Sequence, residues 1–234
     1  MKKLIITLVA ALILTPSLAF ANSGAHLEHA GNDLTDKASL QRGFKAFIDN
    51  CLGCHQLQYQ RYNRTFKDLG ISDADGLKNW MYTGEKVGDH ITNTMPKAQA
   101  AKWFGSTPPD LTLEARLRSP DWIYTYLRSF YVDPDRPFGV NNTVFKDVGM
   151  PHVLQHLQGI RTKDEHGNLS PATGGSMTEE EYDSFVRDIT NFLEYTAEPS
   201  KLERQRIGYW VLGYLFILFI FAYFLKKEFW KDCH

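Results

Sequence analysis

The sequence predicts a mainly α-helical domain with long loops, followed by one C-terminal transmembrane helix. Apolar residues recur at helical spacing in 36–50 and again in 178–197, which predicts two long amphipathic helices. The stretch from Ile207 to Leu225 carries no charge and, at ~1.5 Å per residue, is long enough to cross the hydrocarbon core of a bilayer. Pro, Gly, Asn and Asp accumulate in 132–148, which predicts a long loop.

Two of the helix starts are predicted from capping residues. Ser119 precedes a proline and an acidic residue, which predicts an N-cap and a helix that begins at Pro120. Thr178 and Glu181 form a capping-box pattern at the start of the helix in 178–197, and Pro199 ends that helix before the anchor.

Shorter helices are predicted between these elements. One lies near 74–83, with Gly84 as its C-cap, and another lies near 97–104 and ends at Gly105. Neither segment carries a residue pattern that requires a function of its own.

Length and charge set limits on the function. The 234 residues carry a formal net charge of −1, and 43% of them are hydrophobic. This is enough chain for one globular domain with attachments. Because the chain has no strongly basic character, we expect no nucleic acid partner.

The N-terminus predicts a secretory signal peptide over residues 1–21. Lys2 and Lys3 precede an apolar run, Leu4 to Leu14, that is too short to span a bilayer comfortably. Ala19 and Ala21 are small residues at the two positions that determine cleavage, so we expect cleavage after Ala21. An uncleaved anchor or a buried helix is the alternative.

The predicted anchor, 205–225, separates a domain over 22–204 from a tail over 226–234. Lysines and arginines flank the anchor on both sides, so the positive-inside rule decides little about orientation. The predicted export of the N-terminal part places 22–204 on the periplasmic side and the tail in the cytoplasm. We therefore expect a single-pass protein of the inner membrane, in contact with lipid.

A cysteine pair with a histidine directly after it ends the first predicted helix. Cys51, Cys54 and His55 form the pattern typical of c-type haem attachment, in which two thiols bind the haem vinyl groups and the histidine binds the iron. A disulfide, a thioredoxin-like pair and a zinc site are the alternatives. A thioredoxin-like pair should open a helix, whereas this one closes a helix, and zinc needs more Cys or His nearby. Cys233, in the tail, is expected to play no part.

The second axial ligand of such a haem is predicted among the methionines that follow the motif. Met81 fits one face of a short helix and Met177 precedes an N-cap, so both are expected to pack in the core. Met95 and Met150 each precede a proline, which suits a loop that presents one sulfur atom. The residues alone do not separate these two. Histidine ligation is a further alternative, by His90, His152 or His156.

Several segments, in order along the mature chain, resemble one family. They are LQRGFKAFIDNCLGCH, WFGSTPPDLTLEARLR, DWIYTYLRSFY, GMPHVL and VRDITNFLEYTAEP, followed by a single C-terminal span. In this order the chain is similar to the compact bacterial type of cytochrome c1, the haem subunit of the quinol–cytochrome c reductase (bc1) complex. The resemblance implies a cytochrome-c-like haem domain. Many relatives carry Asn-Pro-Tyr-Phe before the ligand loop, where this chain has VNNTVF, so contacts on that side of the haem are not carried over.

The resemblance also implies site residues. The axial methionine of the family lies in a Gly-Met-Pro-like segment, which favours Met150. A Pro-Pro-Asp-Leu stretch lies beside the haem in the family, with two arginines after it. Here these are Pro108–Leu111, Arg116 and Arg118. We expect Pro109 and Arg118 to contact the haem, with the guanidinium fork of Arg118 on a propionate; a solvated arginine on a helix surface is the alternative.

The function implied by the resemblance is electron transfer in a respiratory chain. The chain would carry one covalently bound haem c, receive electrons from the Rieske iron–sulfur subunit and pass them to a cytochrome c. Quinol oxidation is expected in the neighbouring cytochrome b subunit, and the complex is dimeric in the family. The alternatives are a stand-alone membrane-tethered cytochrome c carrier, a haem enzyme with an open sixth site and a thiol oxidoreductase.

Overall fold

The structure, a computed structural model, describes residues 26–231. The predicted signal peptide and Cys233 lie outside the described residues. The helices are α1 (Lys37–Asn50), α2 (Tyr62–Leu69), α3 (Asp73–Asn79), α4 (Lys97–Phe104), α5 (Glu114–Arg118), α6 (Pro120–Arg128), α7 (Gln155–Gln158), α8 (Glu179–Ala197) and α9 (Lys201–Phe229). The strands are β1 (Leu57–Arg61), β2 (His90–Ile91), β3 (Phe130–Val132), β4 (Val140–Asn142), β5 (Gly159–Ile160) and β6 (Thr173–Gly174). The predicted mainly α-helical fold class is confirmed.

The strands form three small antiparallel pairs in the described part of the chain, β1–β2, β3–β4 and β5–β6. In the β3–β4 pair, Phe130 lies opposite Asn142 and Val132 opposite Val140. Val132 at the end of β3 and all of β4 lie within the region predicted as one long loop, 132–148, so the pair gives the start of that loop a defined course. The β1–β2 pair follows the haem motif directly and has an irregular register between Leu57 and Arg61.

The two long helices, α1 and α8, cross at the centre of the domain. Gly43 lies at the crossing, where an added Cβ atom would collide with the backbone carbonyl of Asp188. The buried Asp188 carboxylate accepts hydrogen bonds from Ser39 at 2.6 Å and from Arg42 at 2.6 and 3.0 Å. The missing side chain and the paired charge together fix how α1 meets α8, and so fix the position of the motif at the end of α1.

The hydrophobic core lies around this crossing. Its largest fully buried side chains include Phe44, Phe47, Tyr62, Phe66, Leu57, Leu154, Ile189 and Phe192. Phe44 on α1 packs against Phe192 on α8, with ring centroids 5.1 Å apart. The predicted buried stripe of α8 is therefore confirmed as core, because its apolar residues face α1.

The caps predicted at Ser119, Thr178 and Gly105 are confirmed. At the start of α6 the Ser119 hydroxyl accepts from the backbone N–H of Trp122 at 3.2 Å. At the start of α8, Thr178 and Glu181 make both hydrogen bonds of the capping box, at 3.2 and 2.9 Å. Gly105 ends α4 with a φ of +78°, a conformation that glycine adopts without steric cost.

Two expectations about the region after the motif were wrong or incomplete. The helix expected near 74–83 is α3, which ends at Asn79, so Gly84 is not its C-cap. The C-cap of α3 is Trp80, whose backbone N–H donates to the carbonyl of Gly76 at 3.0 Å. Helix α2 was not predicted. It contributes the fully buried Tyr62 to the core.

Helix α9 is the one helix among residues 26–231 that is long and apolar enough to cross a membrane. Its most apolar window has a mean hydropathy of 2.0, and none of that window is buried against the domain. It contains the predicted span, Ile207 to Leu225, and extends beyond it at both ends. Residues 198–200 link it to α8.

Candidate haem site

Helix α1 ends at the cysteine pair, as predicted. The backbone N–H of Cys51, the C-cap, donates to the carbonyl of Phe47 at 2.8 Å. The N–H groups of Cys54 and His55 both donate to the carbonyl of Cys51, at 3.0 and 2.8 Å. These bonds fold 51–55 into one tight turn, in which neither cysteine forms a disulfide. Two thiols and an imidazole on one short turn match the needs of covalent haem attachment.

The His55 ring is oriented by a residue 54 positions further along the chain. Its Nδ1 atom donates to the carbonyl oxygen of Pro109 at 2.8 Å. This bond places the ring proton on Nδ1 and leaves the Nε2 lone pair free for a metal. Burial lowers the pKa of His55, although the Pro109 hydrogen bond and the nearby Glu114 and Asp110 act in the opposite direction. The ring is therefore neutral at pH 7, which is the form that ligates iron.

The segment that carries Pro109 is tied to β1 by one carboxylate. Asp110 accepts from the backbone N–H of Gln58 at 2.8 Å and from that of Thr112 at 3.0 Å. These two bonds hold the Pro109 carbonyl in place beside His55. Sequence reasoning assigned no role to Asp110, because its partner on β1 lies 52 positions earlier in the chain.

The protonation of the two thiols argues against thiol–disulfide chemistry. Burial raises the pKa of Cys51 to about 12, and it also raises the pKa of Cys54. A redox-active pair has a lowered pKa, because the thiolate is the attacking species. The surroundings of this pair therefore do not support the thiol oxidoreductase alternative.

Met150 lies in the loop after β4 and faces α6. Its Sδ atom accepts a hydrogen bond from the Tyr126 hydroxyl at 3.3 Å. The preceding Gly149 passes close to α4, where an added Cβ atom would lie 2.9 Å from the carbonyl oxygen of Phe104. No role at the site was predicted for Tyr126. Its pairing with a sulfur atom 24 residues away left no local signal.

The other methionines differ in their surroundings. Met81 and Met177 pack at the edge of the main core, as predicted. Met95 is partly buried, and its backbone N–H donates to the side chain of Asn93 at 3.2 Å. The same Asn93 donates to the carbonyl of Leu52 in the cysteine turn at 3.0 Å. The Met95 segment therefore stays next to the motif, and Met95 is kept as the second candidate ligand.

The three candidate histidines have other contacts or are exposed. His90 Nδ1 hydrogen-bonds the carbonyl of Gln58. His152 stacks on Phe130, with centroids 4.7 Å apart and the rings 3° from parallel. Burial lowers the pKa of His152 to about 4. His156 is exposed at the surface. The His90 contact, like that of His55 with Pro109, leaves Nε2 free, so these contacts do not decide between a histidine and a methionine as ligand.

Arg118 lies at the end of α5, and part of its guanidinium group is already bonded within the protein. Its Nε atom donates to Glu114 at 2.8 Å, and its guanidinium carbon lies 4.5 Å from the ring centroid of Trp122. The contact with Glu114 uses Nε and leaves the two terminal nitrogens to other partners. Arg116 faces the opposite way and lies 3.7 Å from Glu198. The two arginines therefore have different partners, and Arg118 is the one that lies on the side of Trp122 and Tyr126.

The residues present fit one covalently bound haem c. The tight turn offers two thiols, the neutral His55 ring offers Nε2, and the loop after β4 offers the Met150 thioether. Imidazole and thioether together are the ligand set of cytochromes c. A helical domain with this donor set and one helix of membrane length defines a membrane-anchored c-type cytochrome.

Comparison with known proteins gives the family. Residues 29–233 match the Cytochrome C1 family. Cytochrome c1 of Allochromatium vinosum is 53% identical over 246 residues, which cover 100% of both chains. The ammonia monooxygenase gamma subunit of Nitrosomonas europaea is 44% identical over 97% of each chain. Cytochrome c1 of Rhodobacter capsulatus is 27% identical over 98% of this chain and 97% of its own.

Among solved structures, one described as a hyperthermophilic respiratory Complex III covers 99% of this chain and 98% of its own, with a TM-score of 0.46 and 17% identity. That similarity is too low to carry an argument. The sequence matches are sufficient: the chain belongs to the cytochrome c1 family. It carries one covalently bound haem c and is the electron-transfer subunit of a quinol–cytochrome c reductase complex, with cytochrome b and Rieske subunits as partners. Helix α9, the one helix of membrane length among residues 26–231, fits a membrane protein with a single span.

Proposed function

We propose that His55 and Met150 are the two axial ligands and that Cys51 and Cys54 hold the haem by thioether bonds. The observation that carries this proposal is the His55–Pro109 hydrogen bond, because it leaves Nε2 free for the iron. A haem c with one histidine and one methionine ligand takes up and releases one electron at the iron. The resemblance of Gly149-Met150-Pro151 to the Gly-Met-Pro-like segment of the family supports Met150 over Met95.

The contribution of the protein is to hold both ligands still. On the histidine side, Asp110 fixes the segment that carries Pro109. On the methionine side, Arg136 donates to the carbonyls of Asp147 at 2.7 Å and Val148 at 3.5 Å, directly before the ligand loop. Because both ligands are positioned by contacts within the folded domain, little has to move when the protein changes oxidation state.

Two further residues belong to this proposal. Arg118 would hold a haem propionate through its terminal nitrogens, while Nε donates to Glu114. Pro109 lines the histidine side of the haem. The stacking of Arg118 on Trp122, at 4.5 Å, supports a fixed direction for the guanidinium.

In the complex, this protein accepts electrons from the Rieske subunit and passes them to a cytochrome c. The complex is a dimer, and residues 22–204 lie in the periplasm. The signal peptide is 1–21, the anchor 205–225 and the cytoplasmic tail 226–234. The apolar run at the N-terminus and the length of α9 support this topology.

The ligand assignment is tested with Met150→Leu and Met95→Leu, made in the full chain within the complex. Both variants should retain covalent haem after denaturation, because the cysteines are unchanged. We expect only Met150→Leu to lose the weak far-red absorption of a methionine–iron bond and to bind carbon monoxide when reduced. Loss of that band in Met95→Leu, with Met150→Leu unchanged, would reverse the assignment.

The partners are tested by purification from membranes in mild detergent. We expect cytochrome b and the Rieske protein to accompany the chain, and reduced haem to be reoxidised by added cytochrome c. A stand-alone tethered carrier needs a flexible linker before its anchor. Here the link is 198–200, and Glu198 is held by Arg204 at 2.5 Å. Purification of the protein alone from an intact extract would favour the carrier.

The topology is tested by adding protease to intact spheroplasts. We expect cleavage of the haem domain from outside and protection of the tail. Sequencing of the mature protein should begin at Asn22. Protection of the haem domain in spheroplasts, with cleavage only after lysis, would contradict the periplasmic assignment.

A further inference from the structure

The Tyr126 hydroxyl makes a contact that the proposed ligation does not require. It donates to Met150 Sδ at 3.3 Å, and among residues 26–231 this is its one hydrogen bond. A thioether sulfur has two lone pairs. When one of them binds iron, the other is free to accept a hydrogen bond from such a donor.

The Tyr126 ring is held so that its hydroxyl stays on the sulfur. Trp122 stacks on it, with centroids 4.9 Å apart and the rings 9° from parallel. Phe130 packs edge-on at 5.2 Å and 68°. The carbonyl of Tyr126 accepts from the side chain of Asn142 at 2.8 Å. Because both the ring and its backbone are fixed, the hydroxyl cannot turn away without disturbing these contacts.

We propose that Tyr126 is a positioning residue that raises the reduction potential of the haem through its hydrogen bond to Met150. The inference rests on the proposed ligation by Met150 and goes beyond it. The positive end of the O–H dipole withdraws electron density from the sulfur, which weakens its donation to the iron. Weaker donation stabilises the ferrous state relative to the ferric state. The same bond holds the sulfur in one orientation.

The test is Tyr126→Phe in the full chain within the complex, measured by redox titration and by the far-red band of the oxidised protein. We expect the equilibrium to move about fivefold toward the ferric state, a fall of about 40 mV at about 59 mV per tenfold change. The far-red band should also shift, because the sulfur donates more strongly. The matched control is Tyr62→Phe, which removes a hydroxyl bonded to Thr83 at 2.8 Å and should leave potential and band unchanged.

Met150→Leu is measured alongside to separate the two proposals. If Met150→Leu loses the band but Tyr126→Phe leaves both potential and band unchanged, the Tyr126 role is wrong and the ligand assignment stands. If Met150→Leu keeps the band, the ligand assignment fails and the Tyr126 role fails with it.

A measurement on the unchanged protein covers the case in which Tyr126→Phe does not assemble. In proton NMR of the reduced full chain in detergent, we expect a slowly exchanging hydroxyl proton close to the Met150 methyl group. Rapid exchange of the Tyr126 hydroxyl, with no such proximity, would overturn the inference.

Discussion

The carbonyl oxygen of Pro109 accepts a hydrogen bond from Nδ1 of His55 across 54 positions of sequence. This contact joins the turn that carries the cysteines to a separate segment between α4 and α5. It also selects the ring tautomer, because Nδ1 can donate to a carbonyl oxygen only when it carries the ring proton. The consequence is that residues which hold Pro109 act on His55, the proposed haem ligand, from outside the cysteine turn.

Asp110→Ala should therefore weaken the site from a distance. The change leaves the N–H groups of Gln58 and Thr112 without their carboxylate, which we expect to cost about 2 kcal/mol. Thermal unfolding of the haem-bound protein checks this. The control is Asp164→Ala, which also removes a carboxylate from two backbone N–H groups, but in an exposed turn. Equal melting temperatures for the two variants would contradict the role of Asp110.

Gly149→Ala should displace the methionine loop. An added Cβ would lie 2.9 Å from the backbone carbonyl of Phe104, which cannot move as a side chain can. We expect a loss of about 1–3 kcal/mol and partial loss of the far-red band. Gly53→Ala is the matched control, because nothing lies within 4 Å of its added Cβ, even though Gly53 is inside the cysteine turn. An unchanged band in Gly149→Ala would show that the loop can shift without affecting the sulfur.

Arg118→Gln and Arg116→Gln compare two arginines on the same short helix. If Arg118 pairs with a propionate, removing the positive charge of Arg118 leaves the negative charge of the propionate uncompensated. That negative charge favours the ferric state over the ferrous state, so the reduction potential should fall. Arg116 faces Glu198 at 3.7 Å, so its replacement should leave the potential nearly unchanged. Redox titration of both variants checks this. Equal shifts would identify Arg118 as a surface arginine.

Glu198 is expected to give the link between the domain and α9 a pH dependence. The hydrogen bond from Arg204 lowers the pKa of Glu198 below 4.5, with Arg116 and Lys201 acting in the same direction. Because its pKa is lowered on folding, the ionised Glu198 carboxylate stabilises the folded link fully at pH values above the ordinary pKa of a glutamate. This stabilisation is lost as the pH falls through the pKa that Glu198 has in the folded protein. We expect proteolysis within 198–206, relative to an unfolded peptide of that sequence, to increase on acidification.

Glu198→Gln should make the same segment sensitive at neutral pH and remove its acid-dependent increase. Glu203→Gln is the control in the same segment, because Glu203 is exposed and its ion pair with Arg206 is long, at 4.0 Å. Identical pH profiles for the wild type and Glu198→Gln would exclude this carboxylate as the titrating group.

Much of the architecture was predictable, because its signals are local. Caps at Ser119 and Thr178 depend on atoms three residues away, and they were found. The end of α3 was misplaced: the backbone N–H of Trp80 makes the last helical bond, to Gly76, and the chain leaves the helix before the glycine at 84 is reached. The short strands were not predicted either. Each is two to five residues long and depends on a partner strand, so its own sequence carries little periodicity.

By itself, the sequence predicted one turn that carries Cys51, Cys54 and His55, and an apolar helix of membrane length after the domain. Spacing along the chain is sufficient for both, because a tight turn and an apolar helix are local structures. Only the tertiary structure decided which groups act on the ligands. Pro109 meets His55, Asp110 holds Pro109, and the Tyr126 hydroxyl meets the Met150 sulfur, in a fold in which α1 and α6 both pack against α8. Contacts between segments that are distant in sequence leave no periodicity, and they exist only once the core has formed.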